Sequence, residues 1–185
     1  MNYKRQSMKN WGNDPCGSNY SKSKFGSKKY FEEIAEHRYS TQSWTKKLIA
    51  KYAKKNIKYL EVGFGMGTDL LEATKNNAKV WGIDITPKNK EVLEKRLKYY
   101  GKKANLVTGD CENLPFDDNF FDTIYSLGVI HHTPNTQKAI NEIYRVLKPG
   151  GKANVIVYHK NSFFYWWTLF FCGWILNGDF LKESF

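Results

Sequence analysis

Cysteine is scarce in this chain of 185 residues: Cys16, Cys111 and Cys172 stand far apart, with no CxxC pair and no Cys/His cluster. Neither a disulfide framework nor a zinc site is supported by that count and spacing. Free thiols suit a reducing compartment, so a cytoplasmic location is the expectation. Arginine is scarce beside lysine, 4 against 25. Arginine is the residue that grips phosphates and base edges with two parallel hydrogen bonds, so nucleic acid is not an expected partner. The opening "MNYKRQSMKNWGNDPCG" has no apolar stretch, and no signal peptide is expected. The apolar run from Phe163 to Leu176 spans 14 residues, short of the roughly 20 that a membrane-spanning helix needs.

What is present is ordinary in bulk and uneven in placement. Apolar content of 41% and charged content of 25% fit one globular domain with a sizeable core. The net charge of +11 sits almost wholly in front. Residues 1–58 hold 14 Lys/Arg and 4 Asp/Glu, whereas residues 59–185 hold 15 and 14. A basic front end attracts anionic partners, including a membrane surface or an acidic substrate; the plainer reading is a lysine-rich solvated helix face. Three segments follow: 1–56 as a basic helical lid or extension, 57–160 as the core, and 161–185 as an aromatic helix and tail.

Residues 1–26 are polar and read as irregular. "KKYFEEIAEHRY" and "TQSWTKKLIAKYAKK" read as helices, the second with Trp44, Leu48, Ile49 and Tyr52 on one face. From residue 57 short apolar runs alternate with helical stretches. The runs "IKYLEVG", "AKVWGIDI", "ANLVTGD", "FDTIYSLGVI" and "GKANVIVYH" are five strand candidates, and Pro87 suits the first turn of a helix. That alternation predicts an α/β fold with a parallel sheet.

The stretch "LEVGFGMGTDLLEA" carries the first chemical signal. Gly63, Gly65 and Gly67 fall where a strand turns into a helix. Glycine allows the sharp turn and the close approach of a ligand, and a helix start offers free N–H groups. In the dinucleotide pattern G-x-G-x-x-G the third glycine would fall at Thr68. Glu61, just before the loop, would repel a pyrophosphate and attract an ammonium or sulfonium. Asp84 ends the second strand and is placed to accept ribose hydroxyls, which suits a nicotinamide dinucleotide and an adenosylmethionine alike. Asp110 follows the third strand, where its carboxylate can accept the amine of adenine while the Cys111 N–H meets a ring nitrogen. As an alternative, Asp110 only caps a turn.

"LEVGFGMGTD", "GIDIT", "GDCENLPFDDNFFDTIYSLGVIHHTPN" and "AINEIYRVLKPGGKANVIVYH" together resemble the successive motifs of class I S-adenosylmethionine-dependent methyltransferases. The likeness is to the type-11 group that includes the ubiquinone/menaquinone C-methyltransferases, and it runs from about residue 58 to 160. It implies a Rossmann-like, doubly wound, mostly parallel sheet of order 3-2-1-4-5 and S-adenosyl-L-methionine as cofactor. It also implies that the glycines, with Phe64 and Thr68, form the loop under the methionine part. Glu61 would orient the amino group, Asp84 bind the ribose, Ile85 pack on adenine, Asp110 and Cys111 read adenine, and Ser126 face the sulfonium. "LKPGG" would be the turn into the fifth strand. Members of the family carry two further strands, and here only about 25 residues follow "VIVYH". Strands six and seven are therefore read as missing or diverged, leaving strand five as an edge that invites a homo-oligomer contact or cover by the aromatic tail.

The reaction implied is in-line methyl transfer to a small-molecule or lipid-linked acceptor, with peripheral membrane contact as one option. His131 and His132 follow the fourth strand and are candidate bases, because a near-neutral imidazole can take a proton from the acceptor. Structural packing is the competing reading for both. No metal is called for. Two other classes stay open: an NAD(P)-binding oxidoreductase, which shares the first loop and Asp84, and a noncatalytic binding module.

Overall fold

The computed structural model describes residues 3–13, 15 and 17–158. The aromatic segment 161–185, His159, Cys16 and Cys172 lie outside the described residues. Five strands form one parallel sheet of order β3-β2-β1-β4-β5: β1 Lys58–Val62, β2 Lys79–Asp84, β3 Asn105–Thr108, β4 Phe121–Leu127 and β5 Leu147–Ile156. The helices are α1 Tyr3–Asn13, α2 Lys28–Thr41, α3 Ser43–Tyr52, α4 Thr68–Lys75, α5 Pro87–Tyr99 and α6 Thr136–Val146. The order reverses direction beside β1, between β2 and β4, and such a reversal opens a crevice at the carboxyl ends of the strands.

Strand alternation divides the core in two. Tyr59 of β1 joins Ile49, Leu70, Leu93 and Tyr125 beneath α3, α4 and α5. Leu60 and Val62 join Ile83, Ile124, Ile143 and Val146 beneath α6. A smaller cluster of Tyr30, Phe31 and Ile34 clamps α2 onto Met66 of the glycine loop and Val92 of α5. Arg96 of α5 is 0% exposed at this junction. It donates to the Phe31 carbonyl at 3.1 Å, the Met66 carbonyl at 3.1 Å and the Thr68 hydroxyl at 2.7 Å. Three oxygen acceptors and the Phe31 ring, 5.0 Å away, replace the water a buried guanidinium gives up.

Two expectations are corrected. Residues 3–13 are helical, not irregular. Their polarity suggested a loop, yet Lys, Arg, Gln and Met are good helix formers, and no glycine intervenes before Gly12. "LKPGG" is no simple turn: β5 begins at Leu147, opposite Phe121, and the next pairing is Thr123 with Lys152. The intervening residues bulge out, with Gly150 at φ +75, and α6 stops at Val146 ahead of Pro149. The outer edge of β5 faces no strand among the described residues.

Candidate functional site

The glycine loop is built from three different constraints. All three glycines have positive φ: 76° at Gly63, 51° at Gly65 and 69° at Gly67. A Cβ on Gly63 would fall 2.2 Å from Val129 Cγ2, and one on Gly67 would fall 2.1 Å from Leu93 Cδ1. A Cβ on Gly65 would meet nothing within 4 Å. Gly63 and Gly67 are thus held by packing, and Gly65 borders open space. That space is a cavity of about 360 Å³ walled by Gly63, Gly65, Asp84, Ile85, Asp110, Cys111 and His132, among others. The volume lies at the lower end of the roughly 300–1,000 Å³ usual for small-molecule sites.

Asp84 ties the strand end to the loop. Its Oδ2 accepts from the Gly65 N–H at 2.8 Å, and its Oδ1 from the Thr86 N–H at 2.9 Å and Asn89 Nδ2 at 3.1 Å. A carboxylate has about four acceptor positions, so three are used and about one is left for a ligand hydroxyl. Burial raises its pKa, while the Thr86, Gly65 and Asn89 bonds pull the other way. Asp110, after β3, is engaged by Lys4 of α1, which also reaches Glu112 at 2.9 Å. The Asp110 Oδ1 accepts from the Glu112 N–H at 2.9 Å. Beside it, burial first and then the Asp110 and Glu112 charges push the Cys111 thiol up to about 12, so it is a protonated wall group.

Glu61 lies beneath the loop, 5% exposed, and its Oε2 has no hydrogen-bond partner among the described residues. Burial, then Asp69, raises its pKa well above the carboxylate range; Arg38 and Arg96 oppose this and Asp84 adds to it. Asp69 accepts from Arg38 Nη2 at 2.6 Å and from the Tyr125 hydroxyl at 3.0 Å. Its other oxygen is buried without a partner among the described residues, as is Arg38 Nε. Two carboxylates with spare acceptors and a guanidinium with a spare donor therefore meet behind the loop. This arrangement suits a ligand end carrying both an ammonium and a carboxylate.

The free protein then keeps a proton on Glu61 at pH values where an ordinary glutamate is ionised. A folded pKa above the unfolded one means that ionising Glu61 costs stability as pH rises, and a bound ammonium offsets that cost. Cofactor binding is expected to release a proton and to weaken as pH falls through the raised pKa. Titration calorimetry in buffers of different ionisation enthalpy reads that proton directly. Identical heats in all buffers would remove Glu61 from this role.

The remaining sequence candidates are placed as follows. Ile85 and Cys111 line the cavity. Phe64 is 4% exposed and packs in the core. Thr68 starts α4, where its hydroxyl serves Arg96. Ser126 is 0% exposed inside the sheet, and its hydroxyl has no partner among the described residues. These three are absent from the cavity wall. His132 is on the wall and lies 5.3 Å from the Trp11 ring. His131 stands behind it, with 4.0 Å between the two ring centroids and 5.0 Å to the Tyr158 ring. Both of its nitrogens are buried without a partner among the described residues. Burial lowers the pKa of each, with the His132 charge adding to the effect on His131, so both imidazoles are neutral at neutral pH. Lys4, Asp69, Arg96 and Val129 were not singled out from sequence. No local pattern marks them, because each acts through a partner at least 28 residues away.

The methyltransferase-domain family, type 11, matches residues 60–155. The chain belongs to this family. Its sheet order is that of a class I S-adenosylmethionine-dependent methyltransferase core. Among curated methyltransferases, the chain is 36% identical over 99 residues to a sterol 4-C-methyltransferase of Caenorhabditis elegans, covering 52% of this chain and 30% of that protein. It is 30% identical over 166 residues to the chloroplastic 2-methyl-6-phytyl-1,4-hydroquinone methyltransferase 1 of Oryza sativa, covering 85% of this chain and 49% of that protein. The chain thus spans between about a third and a half of the length of these relatives. Among solved structures, a methyltransferase from Methanococcus maripaludis matches with a TM-score of 0.58 at 24% identity, over 73% of this chain and 65% of that one. That likeness bears on the fold of the methyltransferase core alone.

Proposed function

We propose that the protein is an S-adenosylmethionine-dependent methyltransferase acting on an apolar acceptor, either a small molecule or a lipid-linked ring. One observation carries the reading. A single cavity is walled by the glycine loop and by Asp84 and Asp110 from successive strand ends, with the unpartnered Glu61 carboxylate behind it. The open space over Gly65 and the orphaned Glu61 oxygen fit an aminoacyl nucleoside. A pyrophosphate would meet carboxylates where it needs donors.

In this reading Asp84 holds the ribose, Ile85 packs on the base, and Asp110 with the Cys111 N–H reads the base edge. Glu61 takes the ammonium, and the spare donors of Arg38 take the carboxylate. The cofactor supplies a methyl group already activated by its positive sulfur. The chain contributes alignment and exclusion of water, which for an in-line displacement are most of the catalysis. His132, neutral and on the wall, takes a proton where the acceptor must lose one. Trp11, Trp44, Val129 and Tyr158 give the wall its apolar character, and the sterol and phytyl-hydroquinone named for the relatives are apolar acceptors of this kind. The basic front end favours acceptors held at an anionic membrane surface.

The test is titration calorimetry with adenosylmethionine, its demethylated product S-adenosylhomocysteine, and NADH. Both sulfur compounds are expected to bind and NADH is not. Binding of NADH alone would mean that the site belongs to hydride chemistry.

A further inference from the structure

The contact between Lys4 and Asp110 joins the first turn of the chain to the far end of the cavity. Lys4 bridges two carboxylates, Asp110 and Glu112, and its own side chain is 36% exposed. Glu112 is well seated, 5% exposed, with its other oxygen accepting from the Asn135 N–H at 2.8 Å. The Lys4 pair both raises the lysine pKa and helps hold the Glu112 carboxyl below its usual range, against the opposing effect of burial. The pair is thus ionised across the neutral range.

The rest of α1 is lightly attached. None of its residues enters a hydrophobic core cluster among the described residues. Gly12 interrupts it within a residue of its end and sits close enough to Thr86 that a Cβ would fall 3.1 Å from the methyl. Trp11 lies over His132 without being buried. The helix lies across the cavity, with Lys4 and Trp11 both on its wall.

We propose that Lys4 is an intramolecular competitor for the cofactor: its ammonium takes the Asp110 carboxylate that the base amine of the nucleoside would use, so the ligand must displace it. This rests on the functional reading above. Both donors meet the same ionised acceptor, but only the Lys4 ammonium adds a charge of its own, so the nucleoside amine does not win that exchange by itself. The ribose and aminoacyl contacts at the other end of the cavity must supply the difference. The device sets affinity, and it gives affinity an unusual response to salt. Screening weakens the Lys4 bridge, so added salt is expected to tighten binding of an electrically neutral zwitterion.

The experiment compares the full chain with Lys4→Met and Glu112→Gln, titrated with S-adenosylhomocysteine at low and moderate salt. Glu112→Gln removes one anchor of Lys4, leaves Asp110 in place and keeps an oxygen for the Asn135 N–H. Lys4→Met is expected to bind about threefold to tenfold more tightly than the natural chain. Glu112→Gln is expected to move the same way by less. Lys4→Met should lose the salt-induced tightening and Glu112→Gln should show less of it, and in both the amides of residues 3–13 should exchange hydrogen faster. Unchanged or weaker binding by Lys4→Met overturns the proposal and makes Lys4 a lid contact over bound ligand. If the natural chain and both variants ignore the compound, the functional reading falls and the proposal falls with it.

Discussion

Asp84→Ala is expected to lower the affinity for S-adenosylhomocysteine by about 100-fold while leaving the chain folded at room temperature. The side chain does two jobs at once. It holds the Gly65 N–H, the Thr86 N–H and Asn89, and so fixes the loop against the end of β2. It also presents its remaining acceptor position to the cavity. Removing a buried acceptor leaves its donors unsatisfied at about 1–3 kcal/mol each, with partial relief from water in an open cavity. Asp84→Asn is not a gentle substitute. All three partners are donors, so a side-chain NH2 in place of either oxygen meets a donor head-on. Affinity within threefold of the natural chain in both variants would show that the ligand sits elsewhere.

The second large effect separates two glycines two residues apart. Gly67→Ala is expected to destabilise the protein by about 2–4 kcal/mol, from a non-glycine residue at positive φ and an overlap with a neighbour. The neighbour, Leu93, is 0% exposed and has nowhere to retreat. Gly65→Ala has only the backbone strain, about 1 kcal/mol, because its Cβ projects into empty space. That space is the ligand's, so Gly65→Ala should retain a near-natural urea midpoint and lose most of its affinity. Urea unfolding and calorimetry on both variants check the pair. Equal stability losses at the two positions would mean that Gly67 is not held by packing against Leu93, and undiminished affinity in Gly65→Ala would mean that no ligand packs over Gly65.

Periodicity and local motif were enough for the sheet. Five strands and the helices between them follow from apolar runs whose burial is set by adjacent residues, whereas the strand order came from the resemblance of the motifs to the methyltransferase family. That Gly63, Gly65, Asp84, Asp110 and Cys111 share one cavity wall was legible because a strand end and the loop after it are one sequence stretch. The structure adds that the loop turns Phe64 into the core while Gly65 faces the cavity, an alternation that glycine spacing alone does not reveal. Ser126 shows the limit of motif reasoning. It lies one residue before the end of β4, where Asp84 ends β2, and it is 0% exposed and absent from the cavity wall. α1 was missed because its residues enter no hydrophobic core cluster among the described residues, which leaves almost no apolar stripe to read.

Arg96 bears on how the molecule comes apart. One guanidinium answers to a carbonyl from α2, a carbonyl from the glycine loop and a hydroxyl at the start of α4. Loss of α2 would take from that cation one of its acceptors and the Phe31 ring beside it, and would open both it and Met66 to water. The residues before the segment boundary near residue 56 thus share packing with those after it. A fragment cut there would lose the packing that holds the ligand loop, and the front helices and that loop should melt in one step.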